Sequence, residues 1–560
     1  MTINNMKLDI KRTITEKLTP KEIISYILAD RGLDTDVDFF SPPHPKTIEF
    51  ASFFKRREFK KNLATSLKIL EEVKKQNKKI VVYCDYDADG ITGGAILWET
   101  LHLLGFDATA HVPDRRTEGY GFSKVGLDLV REKYDPGLII SVDHGIMGHT
   151  QIDYAKSLGI PVIITDHHSK ADEDPKSALA IFHTDKLSGS GVAYFFAREL
   201  FENLKPLTTN YQLLSTNFDG DYLAFATIGI IADLVPLMGP ARAVVFHGLK
   251  ALSKTKRIGL THLLLDAGIA GQEISPYEVG FVIAPRINAF GRLEQAVDAL
   301  RLLCTSQELR AAALAKKSGE VNRTRQQMVE GAVEEAIELV NTKQKIIVVT
   351  SHSWNEGIIG LIASKLVEKF ARPAIVITIS DGQSKASARS ISGFNITTFL
   401  REFSDQLLSV GGHAAAAGFS MPSENVKTLQ SLIEDRGAQL LTDEQLVKTT
   451  IVDLAIPFES NTLALAHEIE KCAPFGIGNP APTFFTQGQI LDVQRIGKTK
   501  DHLKLYLTGE KSLPVEFVFF GEGAREENLK KGDMVEVVYK LEIDRWGGRE
   551  KLKGMGKVLV

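Results

Sequence analysis

VVYCDYDADGITGG, residues 81–94, sets an apolar run against three alternate carboxylates, Asp85, Asp87 and Asp89. The β-branched run predicts a buried strand, and the residues after Gly90 predict a helix. Gly90 is expected to let the backbone turn sharply between them. Three like charges at one strand end repel one another, and some must stay protonated unless a cation sits among them.

The alternation continues downstream. GFDATAHVP (105–113), GLIISVD (137–143), IPVIITD (160–166) and ALAIF (178–182) read as strands, with ITGGAILWETLHLLG and HTQIDYAKSLG as intervening helices. This order predicts a parallel sheet covered on both faces. Ligand sites of such sheets lie beyond the carboxyl ends of the strands, and Asp85, Asp143 and Asp166 all fall there.

Helical sequence dominates from about 190 to 342, and 306–340 reads as one long connecting helix. A second α/β region starts at KIIVVT (345–350). It contains SVGGHAAAAGF (409–419), which reads either as a tight turn into a close-packed helix or as an anion site at a helix start. QILDVQRIG, HLKLYLTG, LPVEFVFFG, MVEVVYKLEID and EKLKGMGKVLV predict five strands of a small barrel. Most of its aromatics alternate at strand spacing and read as core, with Trp546 the candidate for an exposed contact.

The expected fold class is therefore α/β: two α/β lobes joined by a long helix, plus a C-terminal OB-type β-barrel. The expected divisions are a mostly helical region 1–75, a catalytic domain 76–305, the connecting helix 306–342, a second domain 343–445, and a linker with barrel 446–560.

Composition excludes several classes. No apolar run approaches the roughly 20 residues that span a bilayer, and MTINNMKLDIKRTITEKL lacks the apolar core of a signal peptide. A cytoplasmic monomer without membrane contact is the expectation. Cys84, Cys304 and Cys472 form no CxxC pair, which argues against a disulfide framework or a zinc–thiolate site. A net charge of −3 neither favours nor excludes a nucleic-acid partner, because local patches decide that.

Collecting the acidic and imidazole groups gives DYDAD (85–89), VDHG (142–145), TDHH (165–168) and IGIIADLVPL (228–237). Hard divalent cations take oxygen ligands, and manganese also accepts imidazole. A pair of such ions needs several carboxylates, at least one of them bridging. Each motif alone would read as a cap or turn; together they point to a dinuclear centre.

DYDADG, VDHG and TDHH resemble, in order, the motifs of the DHH phosphoesterase superfamily. PDRRTEGYG (113–121), GSGVAYFFA (189–197), APRINAFGRL (284–293), WNEGIIGLIASKL (354–366), SARSISGFNI (387–396), GGHAAAAGF (411–419) and PFGIGNPAPTF (474–484) extend the likeness to the RecJ family within it. That resemblance covers roughly residues 20–560. It implies a single-stranded-DNA-specific 5′→3′ exonuclease of DNA repair and recombination, using two divalent cations, Mn2+ or Mg2+, and releasing 5′-mononucleotides. A helicase and a single-stranded-DNA-binding protein are the implied protein partners.

The resemblance also implies residue roles. Asp89, Asp143, His167 and Asp233 would bind one metal, and Asp87, with Asp89 and Asp143 bridging, the second. Asp85 would support or complete that site, and His168 would touch the scissile phosphate. Arg115 and Tyr120 match positions that engage the 5′ nucleotide, and Ser387 and Arg389 those that bind its phosphate. Arg286, Asn288 and Arg292 would line the substrate path, and His413 would face the cleft. The family's second motif commonly reads VDCG. His144 here is either a replacement for a small buried residue or an extra imidazole near the metals. Two other readings stay open: a superfamily phosphoesterase acting on short oligonucleotides or small phosphates, and a non-catalytic single-strand-binding repair scaffold.

Overall fold

A computed structural model describes residues 2–3, 6–33, 37–205, 209–545 and 547–560. They form two compact units, 42–442 with 476–478, and 1–41 with 443–475 and 479–560.

In the larger unit the β-branched runs pair as a fully parallel sheet. Its order is Ala108–His111, Lys79–Cys84, Pro136–Val142, Val162–Asp166 and Ala180–His183. The helix Ala88–Leu103 leaves the second of these strands and is buried along most of its length. Asp87, not Gly90, makes the turn. It caps the helix by accepting from the N–H groups of Asp89 (3.0 Å) and Gly90 (3.1 Å). Gly90 is needed for a different reason: a Cβ there would lie 2.6 Å from the Asp85 carbonyl oxygen. The amphipathic helix Arg56–Lys75 buries Phe59, Leu70 and Val73 and keeps Lys60, Lys61, Lys68 and Lys75 in water.

The long helix, Glu308–Glu338, spans about 46 Å at 1.5 Å per residue. Its first half buries Ala311, Ala315, Ser318, Gly319 and Asn322, and its second half contributes Ala332 and Ala336 to the core of the second lobe. That lobe's sheet runs Ser409–His413, Ala416–Pro422, Gln383–Arg389, Ala374–Thr378 and Ile347–Ser351. GGHAAAAG is thus a β-hairpin, and neither helical reading of it holds. Tertiary pairing overrides alanine's helix propensity, because Ala416 and Ala417 pair with Arg389 and Ala388 on one side and with His413 and Gly412 on the other.

In the smaller unit the five expected strands appear as Phe484–Ile496, His502–Thr508, Val515–Phe519, Met534–Asp544 and Lys551–Leu559. The first pairs with the fourth, which closes the barrel. The N-terminal region departs from its mostly helical reading. Met6–Thr13 is a strand, parallel to Lys448–Ala455, and residues 1–41 belong to this unit. MKLDIKRT alternates charged and apolar residues at period two, the mark of a half-buried strand. Phe517, Phe519 and Tyr539 are core, while Phe520 is 62% exposed. Trp546 lies outside the described residues. Among the described residues, no helix is long and apolar enough to cross a membrane.

Arg31 ties this unit together. It reaches Asp453 (2.9 Å), Asn479 Oδ1 (3.1 Å) and the Pro480 carbonyl (2.8 Å). Arg31→Ala removes the ion-pair partner of the largely buried Asp453, which keeps only its bond from the Thr483 N–H (2.8 Å), and is expected to cost the unit about 2–3 kcal/mol. Amide exchange should then accelerate in Met6–Thr13 and Lys448–Ala455 and stay unchanged in Lys79–Cys84.

Candidate metal centre and nucleotide pocket

The carboxyl ends of three parallel strands and one helix end deliver acids to a single point. Asp85 follows Lys79–Cys84, Asp143 follows Pro136–Val142, and His167 and His168 follow Val162–Asp166. Asp233 caps the carboxyl end of the helix Asp221–Ala232. His167 Nε2 lies 3.1 Å from Asp143, 3.3 Å from Asp233 and 3.8 Å from Asp89. Three sets, Asp89–His167–Asp233, Asp85–Asp87–Asp143 and Asp143–His167–His168, each bring their ligand atoms within 4.8 Å of one another.

The donor set suits a hard or borderline divalent cation. Asp85 Oδ1, Asp143 Oδ1 and His167 Nε2 are buried and make no hydrogen bond, an arrangement that costs stability unless a cation completes it. Burial, followed by mutual repulsion, raises the carboxyls of Asp85, Asp87 and Asp143, and lifts Asp233 to about 8. Asp89 is held differently, at the N-terminus of the helix Gly189–Leu204. It accepts from Ser188 Oγ (2.7 Å), Gly189 N (2.6 Å) and Ser190 N (3.0 Å), so the helix start stabilises its charge.

Two supporting roles escaped the sequence reading. Asp166 accepts from the backbone of Ile146, His167 and His168 and binds His168 Nδ1 at 2.8 Å. Burial pulls the His168 imidazole down, but the bond and charge of Asp166 prevail and raise it to about 9. The strand-end position of Asp166 was the available signal. The Ser188–Ser190 cradle was the second omission, signalled by a GSG at a helix start.

His168 Nε2 faces Tyr120 Oη (3.2 Å), and its ring stacks on His413 with centroids 5.9 Å apart. Beside Asp85 and Asp87 opens a cavity of about 500 Å³. Arg115, Tyr120, Asn288, Arg292, Ser387 and Arg389 line it. Asn288 Oδ1 also accepts from Ala88 N at 2.7 Å and so buttresses the DYDAD loop.

Arg286 does not line this cavity. It turns to the Val282 carbonyl (3.0 Å) and towards Asp266 (3.6 Å), whose charge attracts it. His144 is buried outside the ligand sets. It donates from Nε2 to the Tyr83 carbonyl (3.0 Å), and Tyr83 and Phe122 pack edge-on against it. Burial lowers its imidazole to about 4, so it is a neutral packing residue.

Three family models match the chain: the DHH family N-terminal domain over 79–230, the DHHA1 domain over 343–438 and the RecJ OB domain over 452–557. The single-stranded-DNA-specific exonuclease RecJ of Bacillus subtilis (strain 168) is 35% identical over 557 residues, 97% of this chain and 68% of that protein. The crystal structure of RecJ from Thermus thermophilus in complex with Mn2+ superposes with a TM-score of 0.80 at 28% identity, covering 100% of this chain and 80% of that one. The Mg2+ complex of the same protein gives 0.72 at 26% identity, covering 99% and 78%.

The raised carboxyls fix the sign of a pH effect. Unfolded aspartate titrates near about 4, so the folded form holds these protons more tightly. The metal-free protein therefore loses stability as pH climbs from that value towards the roughly 8 of Asp233. Saturating Mn2+ should raise the melting temperature more at pH 8 than at pH 5. Equal gains at both would contradict a desolvated carboxylate cluster as the binding site.

Proposed function

The chain belongs to the RecJ family, and on that premise we propose that it is a metal-dependent 5′→3′ exonuclease. It degrades single-stranded DNA to 5′-mononucleotides in repair and recombination. The observation that carries this reading is the adjacency of two sites, a carboxylate–imidazole cluster and an arginine-lined pocket that shares Asp85 and Asp87 with it.

Asp87, Asp89, Asp143, His167 and Asp233 would hold two divalent cations, with Asp85 supporting them. Cations so placed neutralise the phosphate oxygens, activate water and stabilise the departing 3′-oxygen. The remaining work belongs to the chain itself. His168, kept protonated near neutrality by Asp166, donates from Nε2 to an oxygen of the scissile phosphate. The Asp166 bond fixes its ring so that Nε2 points outward. Tyr120, one hydrogen bond from His168, packs edge-on to Tyr86 with centroids 6.1 Å apart and offers an aromatic face to the terminal base.

Polarity follows from where the arginines stand. Arg389 and Ser387 share one face of the strand Gln383–Arg389, two residues apart, and Arg115 lines the same cavity. Guanidinium forks bind a terminal phosphate dianion in two-point geometry. Anchoring a 5′-phosphate there sets the next phosphodiester beside the carboxylate cluster. Arg292 and Asn288 complete the wall. Strand separation generates this substrate, so a helicase and a single-stranded-DNA-binding protein are the partner classes that would deliver it.

Asp143→Ala is expected to abolish nucleotide release while leaving affinity for single-stranded DNA largely intact, as read by gel shift and product assays. Persistent cleavage in a clean preparation would sink the dinuclear assignment. In Arg389→Ala, kcat/KM on a 5′-phosphorylated strand should fall about tenfold to a hundredfold, the worth of a charged bidentate contact. A 5′-hydroxyl strand should be hardly affected; equal losses on both would remove Arg389 from end sensing.

A further inference from the structure

We infer that the 5′-end pocket accepts a 5′-triphosphate as well as a 5′-monophosphate. Its substrate class would then include single-stranded DNA that carries a 5′-polyphosphate. This rests on the reading of Arg115, Ser387 and Arg389 as the 5′-phosphate site.

The first support is a charge count. Arg115, Arg292 and Arg389 line the cavity, and Arg325 of the long helix is close enough for its charge to act on Arg292. The hydrogen bonds and ring contacts of these arginines are to neutral groups, and Asp85 is near enough for the charge of Arg115 to act on it. Arg115 lies over the Tyr86 ring at 5.6 Å, Arg292 donates to the Gly357 carbonyl at 3.0 Å, and Arg389 donates to Ser387 Oγ and the Ala388 carbonyl. Arg325 Nε is buried without a hydrogen bond. Among the described residues, none of the four forms an ion pair with a carboxylate. Burial, then repulsion from Arg115, Arg325 and Arg389, pulls Arg292 down to about 10. A terminal phosphomonoester brings a charge of about −1.5 to −2 at neutral pH, which leaves roughly one of the three lining arginines uncompensated. Two further phosphoryl groups would take up that surplus together with the charge of Arg116 in the adjoining cavity.

The second support is room. A neighbouring cavity of about 280 Å³ shares Arg115, Gly291, Arg292 and Glu356 with the first and adds Arg116. Two of the acids along its wall are paired with lysines, and the third is bonded to backbone N–H groups. Asp114 Oδ1 accepts from the backbone N–H of Arg116 (2.8 Å) and Thr117 (3.2 Å), Glu294 faces Lys317 at 3.3 Å, and Glu356 pairs with Lys385 at 2.6 Å. Arg116 itself is exposed and free to reach a β- or γ-phosphate.

Cleavage would follow the monophosphate reaction atom for atom. The oxygen of water joins the scissile phosphorus, the bond from phosphorus to the 3′-oxygen breaks, and that oxygen leaves with a proton. The products are a nucleoside 5′-triphosphate and a strand bearing a new 5′-phosphate.

The test uses one single-stranded DNA sequence with a 5′-hydroxyl, 5′-monophosphate or 5′-triphosphate, full-length protein and Mn2+. The triphosphate strand should be cut with a kcat/KM within about threefold of the monophosphate strand. Its first product, resolved by anion exchange, should be a deoxynucleoside 5′-triphosphate. Arg116→Ala should lower the triphosphate value about tenfold, the worth of one charge-assisted hydrogen bond, and leave the monophosphate value unchanged. If the monophosphate is preferred over the hydroxyl but the triphosphate is cut no faster than the hydroxyl, the inference fails while the 5′-phosphate pocket stands. Equal rates on hydroxyl and monophosphate overturn the pocket itself. Phosphate or pyrophosphate released before any nucleotide also overturns the inference, as does an equal loss in Arg116→Ala on both phosphorylated strands.

Discussion

Repulsion among desolvated carboxylates is the constraint on which the catalytic unit is built. Asp85, Asp89 and Asp143 are all but fully buried within one small volume, and left alone they would drive their own strands apart. The fold opposes this in two ways. A helix start clasps Asp89, and three parallel strands bring the other acids in on backbone already locked by sheet hydrogen bonds. The glycines at 90, 189 and 229 belong to the same arrangement. A side chain at any of them would press directly on Asp85, Asp143 or Asp89. Space for the acids is thus fixed from behind as firmly as charge is balanced from in front.

Much of this was legible in the sequence because the signals were local. β-branched runs ending in aspartate gave strands and strand ends together, and the five barrel strands stood out by their turns. What was not legible depended on distant partners. MKLDIKRT does alternate at period two, but its pairing depends on Lys448–Ala455, a neighbour that a window of eight residues cannot show. The alanines of GGHAAAAG favour a helix on propensity alone; two flanking strands decided otherwise. Arg286 and Arg292, six residues apart on one helical stretch, read alike as cations, yet of the two only Arg286 lies within ion-pair reach of a carboxylate. Position within a motif does not reveal which way a side chain turns.

The two cavities and the acidic cluster share a common support in the helix Glu308–Glu338. It packs on the catalytic lobe with its first half and on the second lobe with its other half. Arg325 sits between those halves, where its charge bears on Arg292. A single element therefore spans both lobes and adds a charge near the pocket.

The strand Met6–Thr13 carries a consequence for how the molecule is made. It is translated well before its partner, which lies more than four hundred residues downstream. At ordinary elongation speed it waits on the order of tens of seconds as an unpaired ribbon. An edge left bare that long invites wrong pairing, and the usual protection is charge along the ribbon. Lys7, Asp9, Lys11 and Arg12 supply it. The nascent chain thus keeps this strand soluble until Lys448–Ala455 emerges to claim it.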